Sequence, residues 1–511
     1  MKFPKIEIKK ALAWLYAAGV FLFLFFGYRY HIYFQEQFQL FEFTGSYFTE
    51  VFCQPGGLAS YISRFLTQFS YYAFAGSVIC AALVSAIRLL TFRLCGNFPL
   101  SFIPSSLMLF FILDGEAMLT APVALLIVLA VADLRVGIIS RGWVTVAISA
   151  ILYFLVGPFA ALYPAIRLHR AKNWWLWGIV CAAVLCAEVH FAHLYTHYPY
   201  GRLIYGLGYY RFFIGMPALP WIAALSAVIV YYVGAADRFG RKVERILCAV
   251  VLAASAAGIF VAADFEREEA MEYDFLARRG MWDAIIAKAE VKAPDTPNNV
   301  TCLNLALAMK GQLKSRMFDF FQCGTEGLMP EFSSDYLSSF PVSEAYFYLG
   351  MVNTARRYTF ATQENNPDGQ KSARCYKRLA EANMVNGLYD AAELYLKPLR
   401  HTLFYREWAE DFSRLMKSED SIEKHPLYGF LRKSRLHDDD FMFNRSATDS
   451  MLAYLIKENP NNSLAYEYLY AWLLLDKKID ELKALFGLQS DKEIPANYWN
   501  YYKQFRKGGN N

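Results

Sequence analysis

The sequence predicts an all-α protein of two parts, a polytopic helical membrane bundle over residues 1–264 and a soluble helical-repeat domain over residues 265–511. Three observations carry this. Hydrophobic residues make up 56% of the 511 and charged residues 19%, with 42 Phe, 35 Tyr and 10 Trp, more apolar surface than a water-soluble chain can bury. The charge is unevenly spread: residues 1–264 hold 19 Lys/Arg and 11 Asp/Glu, whereas 265–511 hold 32 and 35. The second half alternates helical patterns with short Gly or Asn/Pro breaks and has little strand character. Disorder, a fibrous repeat and a single water-soluble enzyme are excluded.

A membrane span needs roughly 20 apolar residues, because unpaired backbone groups are too costly in hydrocarbon. Clear spans run Ala11–Gly27, Tyr72–Leu90, Trp174–His193, Phe213–Val233 and Arg245–Ala263. Two shorter ones, Phe98–Leu113 and Ala117–Ala132, flank Asp114-Gly115-Glu116. The stretch Trp143–Ile166 is broken by Gly157-Pro158 and Pro164, and reads as one broken helix, two short ones or a re-entrant hairpin. No small-residue cleavage site follows the first span, so it is not a removed signal.

Positive charge orients the bundle. Lys2, Lys5, Lys9 and Lys10 place the N-terminus in the cytoplasm, and Arg88/Arg93, Arg135/Arg141, Arg167/Arg170/Lys172 and Arg238/Arg241/Lys242/Arg245 share that face if Trp143–Ile166 enters and leaves on one side. Only Arg29, Arg64, Arg202 and Arg211 then lie outside, and the second domain is extracytoplasmic, periplasmic in an inner-membrane protein. The net charge of +5 is thus a topological signal and needs no nucleic-acid partner. Nine cysteines show no metal-ligand spacing, and Cys302 and Cys323 form a disulfide or stay as separate thiols.

Polar groups at the outer ends of spans are where chemistry belongs. Residues 28–71 are too apolar for a solvated loop and too polar to span; helix-like stretches at Phe34–Val51 and Leu58–Phe69 predict interfacial helices. Glu36, amid Arg29, His31 and three glutamines, is the foremost carboxylate there. Asp114 and Glu116 offer a hard-oxygen pair for a divalent metal ion, or simply a polar hairpin tip. His190, His193 and His197 fall within about 60° on a helix at 100° per residue, suited to metal, phosphate or proton transfer, or to an aromatic-polar interfacial belt. Arg202 and Arg211 suit an anionic group such as a lipid phosphate.

In the second half, the run from Leu379 to Leu396 reads as a helix ending near Gly387 and a partner returning through Tyr389, Ala391 and Tyr395. It resembles a tetratricopeptide helix pair. Weaker copies surround Gly280, Gly311 and Gly350 and cover Leu464–Phe486, so the resemblance implies a tetratricopeptide-like α-solenoid that recruits a protein partner or covers the bundle. The last five residues, from Lys507, predict a frayed tail.

The layout as a whole resembles the C-superfamily glycosyltransferases, integral enzymes that use polyprenyl-phosphate sugars. The shared order is one span, an outer loop with interfacial helices and an early carboxylate, a second outer loop with an acidic pair, and an outer soluble domain. It also resembles an uncharacterised bacterial multi-pass family with a tetratricopeptide-like C-terminal domain. The first likeness implies that Glu36 matches the first-loop base or metal ligand, where Asp is commoner, and that Asp114 and Glu116 match the second-loop pair. His190, His193, His197, Arg202 and Arg211 would then hold the lipid-linked substrate. A non-catalytic membrane scaffold and a lipid transporter are the competing classes; a transporter calls for charges deep within spans, and nearly all here lie at their ends.

Overall fold

In the computed structural model, which describes residues 5–134, 141–212, 215–236, 240–330, 336–366, 369–436 and 447–508, every regular element is helical. Among the described residues the one strand-like feature is an isolated antiparallel bridge between Ala117 and Tyr210. The expected start of a span at Phe213, the charges of Lys2, Arg135 and Arg238 and the last three residues of the tail lie outside the described residues. The chain forms two compact units, Met1–Phe265 with His401–Phe404, and Glu266–Arg400 with Tyr405–Asn511.

The first unit contains α1 (Lys5–Leu22), α2 (Arg29–Glu36), α3 (Gly45–Phe52), α4 (Gly57–Thr67), α5 (Ala73–Cys95), α6 (Phe102–Ile112), α7 (Thr120–Asp133), α8 (Gly142–Val156), α9 (Leu162–Arg167), α10 (Trp174–Thr196), α11 (Tyr200–Tyr205), α12 (Leu219–Ala236) and α13 (Arg241–Ala262). Among the described residues five stretches are long and apolar enough to cross a membrane: Ile8–Gly27, Ala73–Cys95, Gly142–Arg167, Trp174–Thr196 and Arg241–Ala262. Trp14, Phe26, Ile179, Phe191, Ile246 and Val261 stand exposed on them, an outer surface suited to lipid. α7 is short but central, with Ala121, Ala124, Leu125 and Val128 wholly buried, so protein rather than lipid surrounds it.

Contacts sort the helix ends into two groups. At one end Lys9 pairs with Glu244, Arg93 with Asp133 at 2.7 Å, and Arg88 lies over the rings of Phe98 and Phe102. At the other end Tyr28 donates to the Leu113 carbonyl at 3.1 Å, and Tyr209 donates to the Val156 carbonyl at 2.6 Å. The segment 142–167 touches both. Gly142 abuts Trp177 near the start of α10, Val156 meets Tyr209, and Arg167 returns to donate to the Leu134 carbonyl. The chain reverses at Gly157, whose φ of 78° favours glycine, and α9 packs back on α8. The segment is a hairpin with both ends on the basic side, although by length alone it would make one span.

Two expectations are corrected. Phe34–Val51 is not one interfacial helix: α2 ends at Glu36, and α3 starts afresh at Gly45 with Thr44 accepting from the Tyr47 amide. Residues 36–42 between them are buried, so they pack inward rather than lie at an interface. The helix expected from Ala117 starts at Thr120, because Ala117 and Met118 pair with the 209–210 backbone instead.

In the second unit helices pair through a repeated turn. α14 (Phe265–Arg278), α15 (Trp282–Val291), α16 (Pro297–Met309), α17 (Leu313–Arg316), α18 (Tyr336–Leu349), α19 (Val352–Glu364), α20 (Ala373–Val385) and α21 (Tyr389–Leu399) are followed by shorter elements and by the pair Ser463–Leu475 and Ile479–Phe486. At Gly280, Gly311, Gly350 and Gly387 the glycine adopts a left-handed conformation, and the next amide bonds back five residues. Lys477, at φ 63°, makes the same turn without glycine. A buried ion network joins Asp274, Glu344, Arg374, Arg378 and Glu381, with Arg374 to Asp274 at 2.6 Å and Arg378 to Glu381 at 3.0 Å. Cys302 and Cys323 are free thiols, like the other seven cysteines, and burial pushes the Cys323 thiol up to about 11.

Candidate functional site

Three segments meet at the end of the bundle opposite the Lys9–Glu244 pair. The first is α2, which begins after Tyr28 leaves helical geometry. His31 bonds the Ile112 carbonyl through Nε2 at 2.9 Å, and this contact seats α2 on the end of α6. The second is the turn 114–116. Asp114 Oδ1 accepts from the Glu116 amide at 2.9 Å, a local bond that closes the turn. The third is the loop after α11. Gly206, at φ 123°, lies so close to Tyr209 that a Cβ would be 2.4 Å from its ring, and Tyr209 is wholly buried. Met118 N–H donates to the Tyr209 carbonyl at 3.2 Å and Arg211 N–H to the Glu116 carbonyl at 2.9 Å, which fixes Arg211 beside the acidic turn.

Arg211 is 4% and Glu116 7% exposed; Nε of the guanidinium lies 3.1 Å from Glu116 Oε2, and its carbon 4.3 Å from the centre of the Phe38 ring. Its Nη2 donates to Gln35 Oε1 at 3.4 Å, while Gln35 Nε2 donates to the Gly115 carbonyl at 3.1 Å. Tyr210 donates to Asp114 Oδ2 at 3.1 Å. Asp114 and Tyr210 are both only half-buried, so this edge of the cluster is open. Burial, and then the negative charge of Asp114, hold the Tyr205 phenol above its ordinary range. Behind the cluster, His31, Gln35, Thr67, Ser70 and Cys80 line a cavity of about 20 Å³, room for one water molecule.

The structure therefore brings Asp114, Glu116 and Arg211 together. Glu36 is buried at the end of the same helix that supplies Gln35. The histidines make a separate local arrangement. His190 Nδ1 bonds the Tyr200 hydroxyl at 2.7 Å, His193 Nδ1 donates to the Tyr198 carbonyl at 2.7 Å with its ring tilted against Tyr200 at 4.1 Å, and Arg202 lies over Tyr198 at 4.9 Å. His197 departs from the shared face: α10 ends at Thr196, and His197 turns left-handed at φ 60°, so helical spacing no longer places it. Among the described residues no three His, Cys, Asp or Glu side chains gather as a metal cage. Sequence reasoning missed Gln35 and Tyr210; neither carries a charge or a spacing that marks it, and only the bridge at Ala117 brings Tyr210 to the turn.

A family model matches residues 5–500, almost the entire chain and both units. The chain belongs to the DUF6057 family. DUF6057 is described as a family of unknown function, so membership carries no activity with it. No curated protein and no solved structure matches the chain, and the glycosyltransferase likeness rests on the order of its segments alone.

Proposed function

We infer that this DUF6057 protein is an integral membrane enzyme that transfers a sugar from a lipid-phosphate donor. The observation that supports it is the meeting of Gln35, Asp114, Glu116, Tyr210 and Arg211 from three segments at one end of an apolar bundle. A half-open carboxylate beside a buried cation is what such a transfer requires. Asp114 takes the proton of the acceptor hydroxyl, whose oxygen bonds the anomeric carbon. The anomeric carbon–oxygen bond breaks, and its electron pair leaves on the lipid phosphate. Arg211, buried and held by Glu116, supplies positive charge beside that phosphate, and Glu36, Arg202 and the histidines are the further groups proposed to hold the donor. A divalent ion at Asp114 and Glu116 would have to displace Tyr210 and Arg211 from their oxygens. On this reading the basic end is cytoplasmic and the second unit lies outside, in the periplasm of an inner-membrane protein.

Membranes containing the full chain, given a radiolabelled polyprenyl-phosphate sugar, should transfer label to endogenous acceptors. Asp114→Asn should lower that transfer roughly 100-fold or more, and Glu36→Gln should lower it as well, with insertion unchanged. Transfer at the normal rate by both variants overturns the reading. The second reading is a non-catalytic scaffold with a tetratricopeptide-like surface, favoured by the turn repeated at Gly280, Gly311, Gly350, Gly387 and Lys477, which suits stacked helix pairs. It predicts one discrete partner on cross-linking the full chain in membranes, undisturbed by Asp114→Asn.

A further inference from the structure

At the basic end of the first unit, the hairpin 142–167, α10 and α12 leave a groove of about 340 Å³ between them. Pro164, Leu168, Gly178, Cys181 and Leu185 line it, and His169 and Trp174 stand where it meets the turn 170–173. We propose that this groove is a binding site for one acyl chain of an anionic phospholipid, with the phosphate at that turn.

Several observations carry it. The groove lies on α10, a stretch long and apolar enough to span, so in a bilayer it would open onto hydrocarbon rather than water. From Trp174 to Leu185 is 11 residues of helix, about 16 Å at 1.5 Å each. That is close to half of a hydrocarbon core roughly 30 Å thick, the depth of one leaflet. The volume falls in the range of small-molecule pockets, roughly 300–1,000 Å³. The turn joining the lining residues His169 and Trp174 carries the exposed Lys172, so positive charge sits where a lipid phosphate of that leaflet would lie. His169 is held in place at that end: its Nδ1 donates to the Ile166 carbonyl at 2.9 Å, and its Nε2 meets the Tyr231 hydroxyl at 3.3 Å. Exposed Trp174 and Trp175 mark the same level as a membrane interface.

Gly178 supplies a clean test. A Cβ there would meet no atom within 4 Å, so a large side chain enters the groove rather than the protein. The full chain in mixed bilayers would be irradiated with phosphatidylglycerol or phosphatidylcholine carrying a diazirine in the acyl chain. Cross-links should concentrate on peptides 161–168 and 178–185, several-fold more with phosphatidylglycerol. Gly178→Phe should remove most of that labelling with the thermal transition unchanged, and Lys172→Gln should reduce the preference for phosphatidylglycerol. Labelling spread evenly over all lipid-facing helices overturns the proposal, as does labelling that Gly178→Phe leaves intact. Equal labelling by the two lipids overturns the assignment of the phosphate. A change of oligomeric mass in Gly178→Phe without loss of labelling would assign the groove to a second copy instead.

Discussion

In the second unit, two guanidiniums and three carboxylates on three helices neutralise one another where no solvent reaches: Asp274 is 1%, Glu344 3% and Arg374 6% exposed, and Arg374 and Arg378 each lie 3.8 Å over a phenylalanine ring. In the first unit Arg211 and Glu116 are as deeply buried, but Asp114 and Tyr210 beside them remain half-open, and loops rather than helices deliver most of the groups. The difference separates two uses of buried charge. A closed network on packed helices fixes their register, and its loss is felt as stability. A cluster with one open carboxylate, placed by turns at the end of a bundle, leaves a group able to meet a substrate.

The largest effect should come from Arg374→Ala, which strands Asp274 and weakens the hold on Glu344. A loss of about 3–5 kcal/mol is expected in chemical denaturation followed by hydrogen exchange of the second unit. The same network predicts a pH dependence. Burial pushes the Glu344 carboxyl up, and the guanidiniums of Arg378 and Arg374 outweigh it, leaving its pKa below the ordinary value. Its contribution is therefore full above the unfolded value of about 4.3 and lost as pH falls through the lower folded value. A second unit that melts at the same temperature on either side of that window would remove the assignment.

Arg211→Ala should cost about 3 kcal/mol by leaving Glu116 buried beside fewer donors. The comparison sharpens with the double variant Arg211→Met/Glu116→Leu. It should recover most of the stability yet none of the proposed sugar transfer; recovery of both would make the pair structural only. Gly350→Ala should cost about 2–3 kcal/mol, since its Cβ would lie 2.6 Å from the Ser434 carbonyl oxygen at a φ of 92°. Gly387→Ala, with open space around it at φ 76°, should cost only about 1 kcal/mol, for conformation alone. The smallest effect runs the other way. Lys477→Gly should raise the midpoint of the second unit by less than about 1 kcal/mol of stability, because glycine relieves the left-handed backbone but loses more chain entropy.

Much of this organisation is legible in residue order. Apolar runs, the bias of lysine and arginine, and Asp114-Gly115-Glu116 at a turn are local properties, and the structure keeps each of them at a helix or its end. Marker glycines find their turns for the same reason, since a left-handed residue after a helix favours glycine. The fifth turn carries no marker glycine because Lys477 holds it, although the helix pair around it is legible as Leu464–Phe486. Helical spacing put His197 beside His190 and His193; the helix stops one residue earlier, and the rule fails there.

The site shows the same division. Composition alone set a lipid-compatible half against an ordinary helical half, and charge alone gave the bundle a basic end, because hydrocarbon tolerates neither unpaired backbone nor free charge. Which polar groups meet was decided only in three dimensions. Tyr210 reaches Asp114 through a backbone bridge between segments about ninety residues apart, Arg374 reaches Asp274 across 100 residues, and the groove beside Gly178 exists because the chain doubles back at Gly157. Periodicity records which face a residue takes on its own helix; it does not record which distant segment that face will meet.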